Sequence, residues 1–190
     1  MAEKQTETAL SSDATEVRAQ KLKLLREKIG DVYPAHFHRT MTNADLAEKY
    51  KNLEADVETQ DVVTVAGRVY SSRNSGMFID LRDASGKIQI FSHKDFLSPE
   101  QLQIVRLLDL GDLIGVEGLV RRTPRGELTV NARHVTVLSK ALLPLPEKFH
   151  GLTDIETRYR QRYLDLIMNP ESRRTLEARS RIVAAMRAHL

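Results

Sequence analysis

The chain has 190 residues, enough for one domain and part of another, and its 29 Lys and Arg residues against 26 Asp and Glu residues give a formal net charge of +3. This small basic excess favours a local phosphate-binding surface over a chain that is cationic throughout. The sequence has no cysteine, which excludes disulfides, thiolate catalysis and cysteine metal sites, and no apolar run approaches the roughly 20 residues that span a bilayer.

The first residues of the chain are polar. Residues 1–12 are rich in Glu, Thr and Ser, which predicts a disordered lead, and they lack the apolar centre of a signal peptide. We therefore expect a cytoplasmic protein.

A helical extension is predicted over residues 13–60. Asp13 is the expected N-cap of a helix that runs to about Ile29 and stops at Gly30. Its narrow apolar stripe lies among basic side chains, so two interpretations stay open: a solvated helix docked by its stripe, or a helix lying beside nucleic-acid phosphates. A second short helix is predicted to begin with a capping box at Thr42 and to end near Tyr50.

Residues 61–140 alternate in polarity as β-strands do. Ser98 and Pro99 predict the start of a helix to about Leu108, between the third and fourth strands. This order is that of the OB-fold, so we predict an all-β, five-stranded Greek-key barrel with N-terminal helices and a C-terminal helical segment, α+β overall. The predicted strands cover residues 62–69, 77–81, 87–91, 113–121 and 127–138.

A proline-stiffened apolar linker is predicted over residues 141–152, followed by a helical segment over 153–190. Thr153 and Glu156 predict a capping box for a helix to about Met168. A further helix then begins at Pro170 without a stop signal before the last residue, which indicates a truncated domain. Its apolar stripe consists of Leu176, Val183, Met186 and Leu190.

The candidate binding residues lie on the strands and facing loops that OB-folds use for single-stranded nucleic acids. Phe78 shares a strand face with Asp80, which favours an exposed stacking platform for a base; the alternative is a core phenylalanine. Gln89 lies between two isoleucines and therefore points away from the core. Its amide suits the pairing edge of a base, although it is also compatible with an ordinary exposed polar residue.

Three charged residues complete the predicted site. Glu127 opens the fifth strand and is a candidate acceptor from a base, while Arg68 and Arg73 are candidates for contacts to phosphate or base. We predict no catalytic residue and no metal-binding residue in this chain.

Two segments carry a family resemblance. They are VAGRVYSSRNSGMFIDLRDASGKIQIF in the barrel and KALLPLPEKFHGLTDIETRYRQRYLDLI after it. Both strongly resemble the bacterial-type class II lysyl-tRNA synthetases, over about residues 15–190. The resemblance implies that the barrel binds the anticodon loop of tRNA-Lys. By the same resemblance, Phe78 stacks on the central uridine, Gln89 reads a base, and Arg73 and Glu127 match further anticodon-binding residues of the family.

The resemblance also implies what this chain lacks. The family enzyme attaches lysine to tRNA with ATP and Mg²⁺ and forms a homodimer, but its catalytic domain lies mostly beyond the part that residues 153–190 resemble. These residues reach only the helix of the first class-defining motif. We therefore expect no cofactor in this chain and no aminoacylation by it alone.

Three hypotheses remain open at this stage. The first is the anticodon-binding part of a lysyl-tRNA synthetase. The second is a free-standing OB-fold protein that binds single strands without anticodon preference, and the third is a non-binding interaction module that uses the apolar stripe of its last helix.

Overall fold

A computed structural model describes residues 2–146, 152 and 154–189, with side chains from residue 13 onward. The chain forms two compact units, Met1–Pro144 and Leu145–Leu190, and the boundary falls inside the predicted linker 141–152. The linker residues 147–151 lie outside the described residues. In the part of the chain that is described, no helix has the length and apolar character that crossing a bilayer requires.

Helix α1 spans Ala2–Ile29 and so begins well before Asp13. The predicted cap at Asp13 is therefore wrong, and the helix includes residues 2–12 that were expected to be disordered. The physical reason is composition, because Ala, Glu, Lys and Gln in this segment are strong helix formers. The apolar stripe is docked, as one of the two interpretations predicted: Leu22 and Leu25 form a buried cluster with Val32, Ile104 and Val137.

Helix α2 spans Asn43–Lys49, and the predicted capping box is confirmed. The Thr42 hydroxyl accepts from the Asp45 backbone N–H, and the Asp45 carboxylate accepts from the Thr42 backbone N–H. The helix ends at Lys49 with Tyr50 as its C-cap, and it was predicted to end near Tyr50.

Five strands close into a barrel in the order β1-β2-β3-β5-β4, with β3 and β5 parallel and the other pairs antiparallel. Helix α3, Pro99–Arg106, lies between β3 and β4 in the chain and is capped by Ser98, as predicted. The OB-fold prediction is confirmed. The strands are β1 Glu58–Arg73, β2 Phe78–Arg82, β3 Lys87–Phe91, β4 Leu113–Arg122 and β5 Leu128–Ser139.

Among the strands, β1 differs most from the sequence prediction, because it begins at Glu58 and not at residue 62. It was expected to end at residue 69 and to be followed by a turn, but it continues to Arg73. A register shift between Val69 and Ser71 allows Ser71, Ser72 and Arg73 to pair with β2, so these polar residues form strand rather than turn. β5 begins at Leu128, one residue later than expected.

The end of β5 is held to α1 and to the β4 entry by a polar cluster. The Lys140 ammonium is fully buried and lies 2.7 Å from a carboxylate oxygen of Asp112, which is also fully buried. Asp109 lies 2.5 Å from Lys140 and 2.6 Å from Lys21 of α1. Arg18 of α1 donates to the carbonyl oxygens of Leu110, Ala141 and Leu143.

The described residues of the second unit form three helices, α4 Ile155–Arg160, α5 Arg162–Met168 and α6 Pro170–His189. The N-cap of α4 is Asp154, not Thr153, which itself lies outside the described residues. The single helix predicted to Met168 is interrupted at Gln161, whose φ of −113° and ψ of 58° are not helical.

A buried carboxylate joins these three helices. Burial raises the pKa of the Asp165 carboxyl, but hydrogen bonds outweigh that effect and lower it from 3.8 to about 2. The donors are Asn169, Arg158, Ser172 and Arg162. None of the described side chains of α6 is buried, and Val183 and Met186 of the predicted apolar stripe are 37% and 59% exposed. Leu190, the last member of the stripe, lies outside the described residues.

Candidate nucleic-acid interface

A cleft of about 760 Å³ lies on the outer face of the barrel. Its floor is formed by β2, β3 and β5, and its wall by the β4–β5 loop with Thr123, Pro124 and Arg125. Four of the five predicted site residues line it: Arg73, Phe78, Gln89 and Glu127.

Strand alternation places these side chains in the cleft. On β2, Ile79 and Leu81 are buried in the barrel core, so Phe78 faces outward with Asp80. On β3, Ile88 and Ile90 are in the same core. Pairing then sets two parallel rows across the cleft floor, one of Phe78, Phe91 and Asn131 and one of Asp80, Gln89 and Thr129.

Phe78 is half-buried and does not belong to the barrel core cluster among the described residues. Its ring lies against that of Phe91, with centroids 5.0 Å apart and planes at 39°. Phe91 therefore supports Phe78 from one side while Phe78 still lines the cleft. This arrangement agrees with the stacking interpretation and not with a core phenylalanine.

Gln89 is only 9% exposed although it lines the cleft, so the alternative of an ordinary exposed side chain is wrong. The Thr129 hydroxyl donates to Gln89 Oε1 over 3.0 Å. Because this bond engages the amide oxygen, it orients the side chain and leaves the Nε2 amide as a donor of two hydrogen bonds. The two carbonyl oxygens of a uracil ring are acceptors that such a donor fits.

Arg73 is held at the rim of the cleft by Asp80. The Arg73 guanidinium lies 3.3 Å from Asp80 Oδ1, and the Ser71 hydroxyl donates to Asp80 Oδ2 over 2.6 Å. The turn after Arg73 has three successive residues with positive φ, ending at Gly76, where a Cβ would lie 2.7 Å from a Val105 methyl. A glycine is needed there, so the turn that presents Arg73 is fixed by both conformation and packing.

Glu127 and Lys87 both line the cleft and form an ion pair, with 3.2 Å between the carboxylate and the ammonium. Both side chains are close to half exposed, at 46% and 43%. Arg121 also lines the cleft, 2.8 Å from the Asp56 carboxylate. The cleft thus combines one aromatic platform with several cationic groups and a few hydrogen-bonding groups, which is the composition of a single-strand binding site.

Arg68 is not in this cleft. Its guanidinium donates to the Gly111 carbonyl oxygen over 2.7 Å, and burial lowers the pKa of the Arg68 side chain.

The sequence prediction of the site missed several residues that line the cleft, among them Lys87, Phe91, Arg121 and Asn131. The two-residue period of β3 could have predicted Phe91 and Lys87, because both lie on the same face of that strand as Gln89. Asn131 and Arg121 enter the cleft through the pairing of β5 with β3 and β4, which no local signal encodes.

Comparison with known proteins gives two results. Residues 63–138 match the family of OB-fold nucleic acid binding domains. Over its whole length the chain is 68% identical to lysine–tRNA ligase of Sinorhizobium medicae (strain WSM419), and over 98% of its length it is 68% identical to that of Rhizobium etli (strain CIAT 652). The more distant lysine–tRNA ligase of Latilactobacillus sakei subsp. sakei (strain 23K) is 45% identical over the full chain. The chain spans 38% of the length of each of these three relatives.

Proposed function

We propose that this chain, which belongs to the lysine–tRNA ligase family and carries its OB-fold anticodon-binding domain, binds the anticodon loop of tRNA-Lys in the cleft of its barrel. The observation that carries the proposal is the adjacency of Phe78 and Gln89 on paired strands, on the floor of one cleft. A flat ring beside an oriented amide is what a protein needs to hold an unstacked base and to read its edge.

Four residues of the cleft then have roles. The central base stacks on Phe78, and the Gln89 amide donates to the carbonyl oxygens of that base or its neighbour. Glu127 accepts from a base N–H, while Arg73 contacts a phosphate or a base edge from the rim. Arg68 has no role in this proposal, because it lies elsewhere on the barrel.

The chemistry of the complete relatives is a separate proposal. We assign residues 61–140 to anticodon binding, 13–60 to a helical extension, 141–152 to the linker, and 153–190 to the start of the family's catalytic domain. The chain spans 38% of the length of these relatives. We propose that the whole protein attaches lysine to tRNA-Lys with ATP and Mg²⁺ in the cytoplasm and acts as a homodimer.

The test is a titration of the chain with a fluorescent anticodon stem-loop carrying UUU, followed by anisotropy. Phe78→Ala should weaken binding about fivefold to a hundredfold, since loss of base–aromatic stacking costs about 1–3 kcal/mol. Tyr33→Ala is the matched control, because Tyr33 is 42% exposed and does not line the cleft.

A second stem-loop with a scrambled loop separates anticodon recognition from general single-strand binding. The proposal expects weaker binding of the scrambled loop at every salt concentration. Equal binding of the two loops would favour the free-standing single-strand binder, and the absence of salt-dependent binding would favour an interaction module.

A further inference from the structure

Strand β3 continues the outward-facing line of cleft residues beyond the end of the cleft. Lys87, Gln89 and Phe91 alternate along β3 and all line the cleft, and the next residue in this period is His93. The inward–outward alternation of side chains continues one residue beyond β3, because the Ser92 N–H donates to the Met77 carbonyl oxygen over 2.8 Å. Ser92 is buried, so His93 faces outward like Phe91.

The His93 ring is stacked on Phe91. The two planes differ by only 6°, with centroids 5.5 Å apart, and Phe96 meets Phe91 edge-on at 6.1 Å. Together with the contact between Phe78 and Phe91, these rings form a continuous row from the cleft to the β3–α3 loop. We call Phe78, Phe91 and His93 the aromatic row.

His93 is also held in place. Its carbonyl oxygen accepts from the backbone N–H groups of Phe96 and Leu97 over 3.0 and 2.9 Å. The Asp95 carboxylate lies 3.0 Å from its Nδ1. The side chain remains 26% accessible to solvent, and Lys94, the next residue, is exposed. A ring fixed in this way loses little conformational freedom when a partner stacks on it.

Resting on the proposed function, we propose that His93 is a second stacking site, which takes the base of a nucleotide flanking the three anticodon bases. The expected ligand is a flanking nucleotide because an RNA strand with one base stacked on Phe78 must leave the cleft on either side. The aromatic row leads out of the cleft to the flat ring of His93, which has the cationic Lys94 beside it. Every base presents a π-face, so this site is expected to add affinity without selecting a particular base.

The first experiment needs no protein variant. Stem-loops with an intact UUU triplet are prepared with an abasic residue at the nucleotide immediately 5′ or immediately 3′ of the triplet, and their affinities for the chain are compared with that of the intact loop. The proposal expects one of the two abasic loops to bind about fivefold more weakly or worse. If both bind as tightly as the intact loop, the proposal is overturned.

The second experiment identifies the residue that the flanking base contacts. His93→Ala should weaken binding of the intact loop about fivefold or more, and should cost much less with the abasic loop that is itself weakened, because the interaction is already lost. His93→Phe keeps a flat ring and should restore affinity. His134→Ala is the matched control, since His134 is exposed on β5 and does not line the cleft.

Two results would refute the role of His93. One is an equal loss for the intact loop and both abasic loops, and the other is a His93→Phe variant as weak as His93→Ala. Phe78→Ala separates this failure from that of the proposed function. If Phe78→Ala weakens binding while His93→Ala does not, only the second stacking site fails; if neither weakens binding, the proposed function fails with it.

Discussion

Replacing Gln89 by alanine tests base reading in the cleft. The change removes the Nε2 donors that we assign to a uridine edge, so discrimination for UUU over a loop with a substituted central base should fall by about 1–3 kcal/mol, or about fivefold to a hundredfold. The cost to the fold is expected to be small. The Thr129 hydroxyl that donates to Gln89 also lies 3.3 Å from the Glu127 carbonyl oxygen, which remains as its acceptor. Loss of one net hydrogen bond lowers the free energy of unfolding by at most about 1.5 kcal/mol.

The assay measures dissociation constants of both loops for wild type and variant, together with a urea unfolding curve of each protein. Gln103→Ala is a suitable control because Gln103 is exposed on α3, accepts a hydrogen bond from Lys28 and does not line the cleft. If Gln89→Ala weakens both loops by the same factor, Gln89 contributes affinity but not base reading. If it unfolds the barrel instead, the assignment of Gln89 to the cleft is refuted.

Three further predictions concern the fold. Lys140→Met should lower the free energy of unfolding, measured in urea, by about 3–5 kcal/mol, because it removes the buried ion-pair partner of Asp112. Lys49→Met breaks an exposed ion pair and should cost less than about 1 kcal/mol. Similar losses in the two variants would contradict this explanation. The Asp165 carboxyl should titrate by NMR with a pKa of about 2, below its ordinary value of 3.8. The stability that the ionised carboxylate gives to α4–α6 is therefore present above pH 3.8 and is lost as the pH falls towards 2. A titration midpoint at the ordinary value would show that the cluster does not form. Limited proteolysis should cut first beyond Pro170 and leave the barrel intact, because no described side chain of α6 is buried. If α6 resists the protease as long as the barrel does, it has a packing partner.

Local signals explain what the sequence predicted well. Strand β3 and the starts of α2 and α3 were predicted to the residue, because period-two alternation and capping side chains act within a few residues of themselves. The same alternation predicted that Phe78 and Gln89 face away from the barrel core, because each lies next to buried apolar residues on its own strand. Their roles in binding stay a prediction.

Features that depend on distant parts of the chain were missed. Residues 71–73 have the composition of a turn, yet pairing with β2 across a register shift makes them strand. Arg68 was grouped with the site because it lies on β1, but its guanidinium is engaged by Gly111 at the β4 entry. The break at Gln161 has no local signal in the sequence, and the Asp165 cluster joins side chains of the three helices on either side of it.

The most direct test of the central claim is photo-cross-linking with an anticodon stem-loop that carries 4-thiouridine at the central position of UUU, followed by mass spectrometry of the adduct. The cleft predicts adducts on peptides that contain Phe78, Gln89 or Phe91, and their loss in Phe78→Ala. Adducts confined to the basic residues of α1 would contradict the account, since they would place the bound strand along the helix rather than in the barrel cleft.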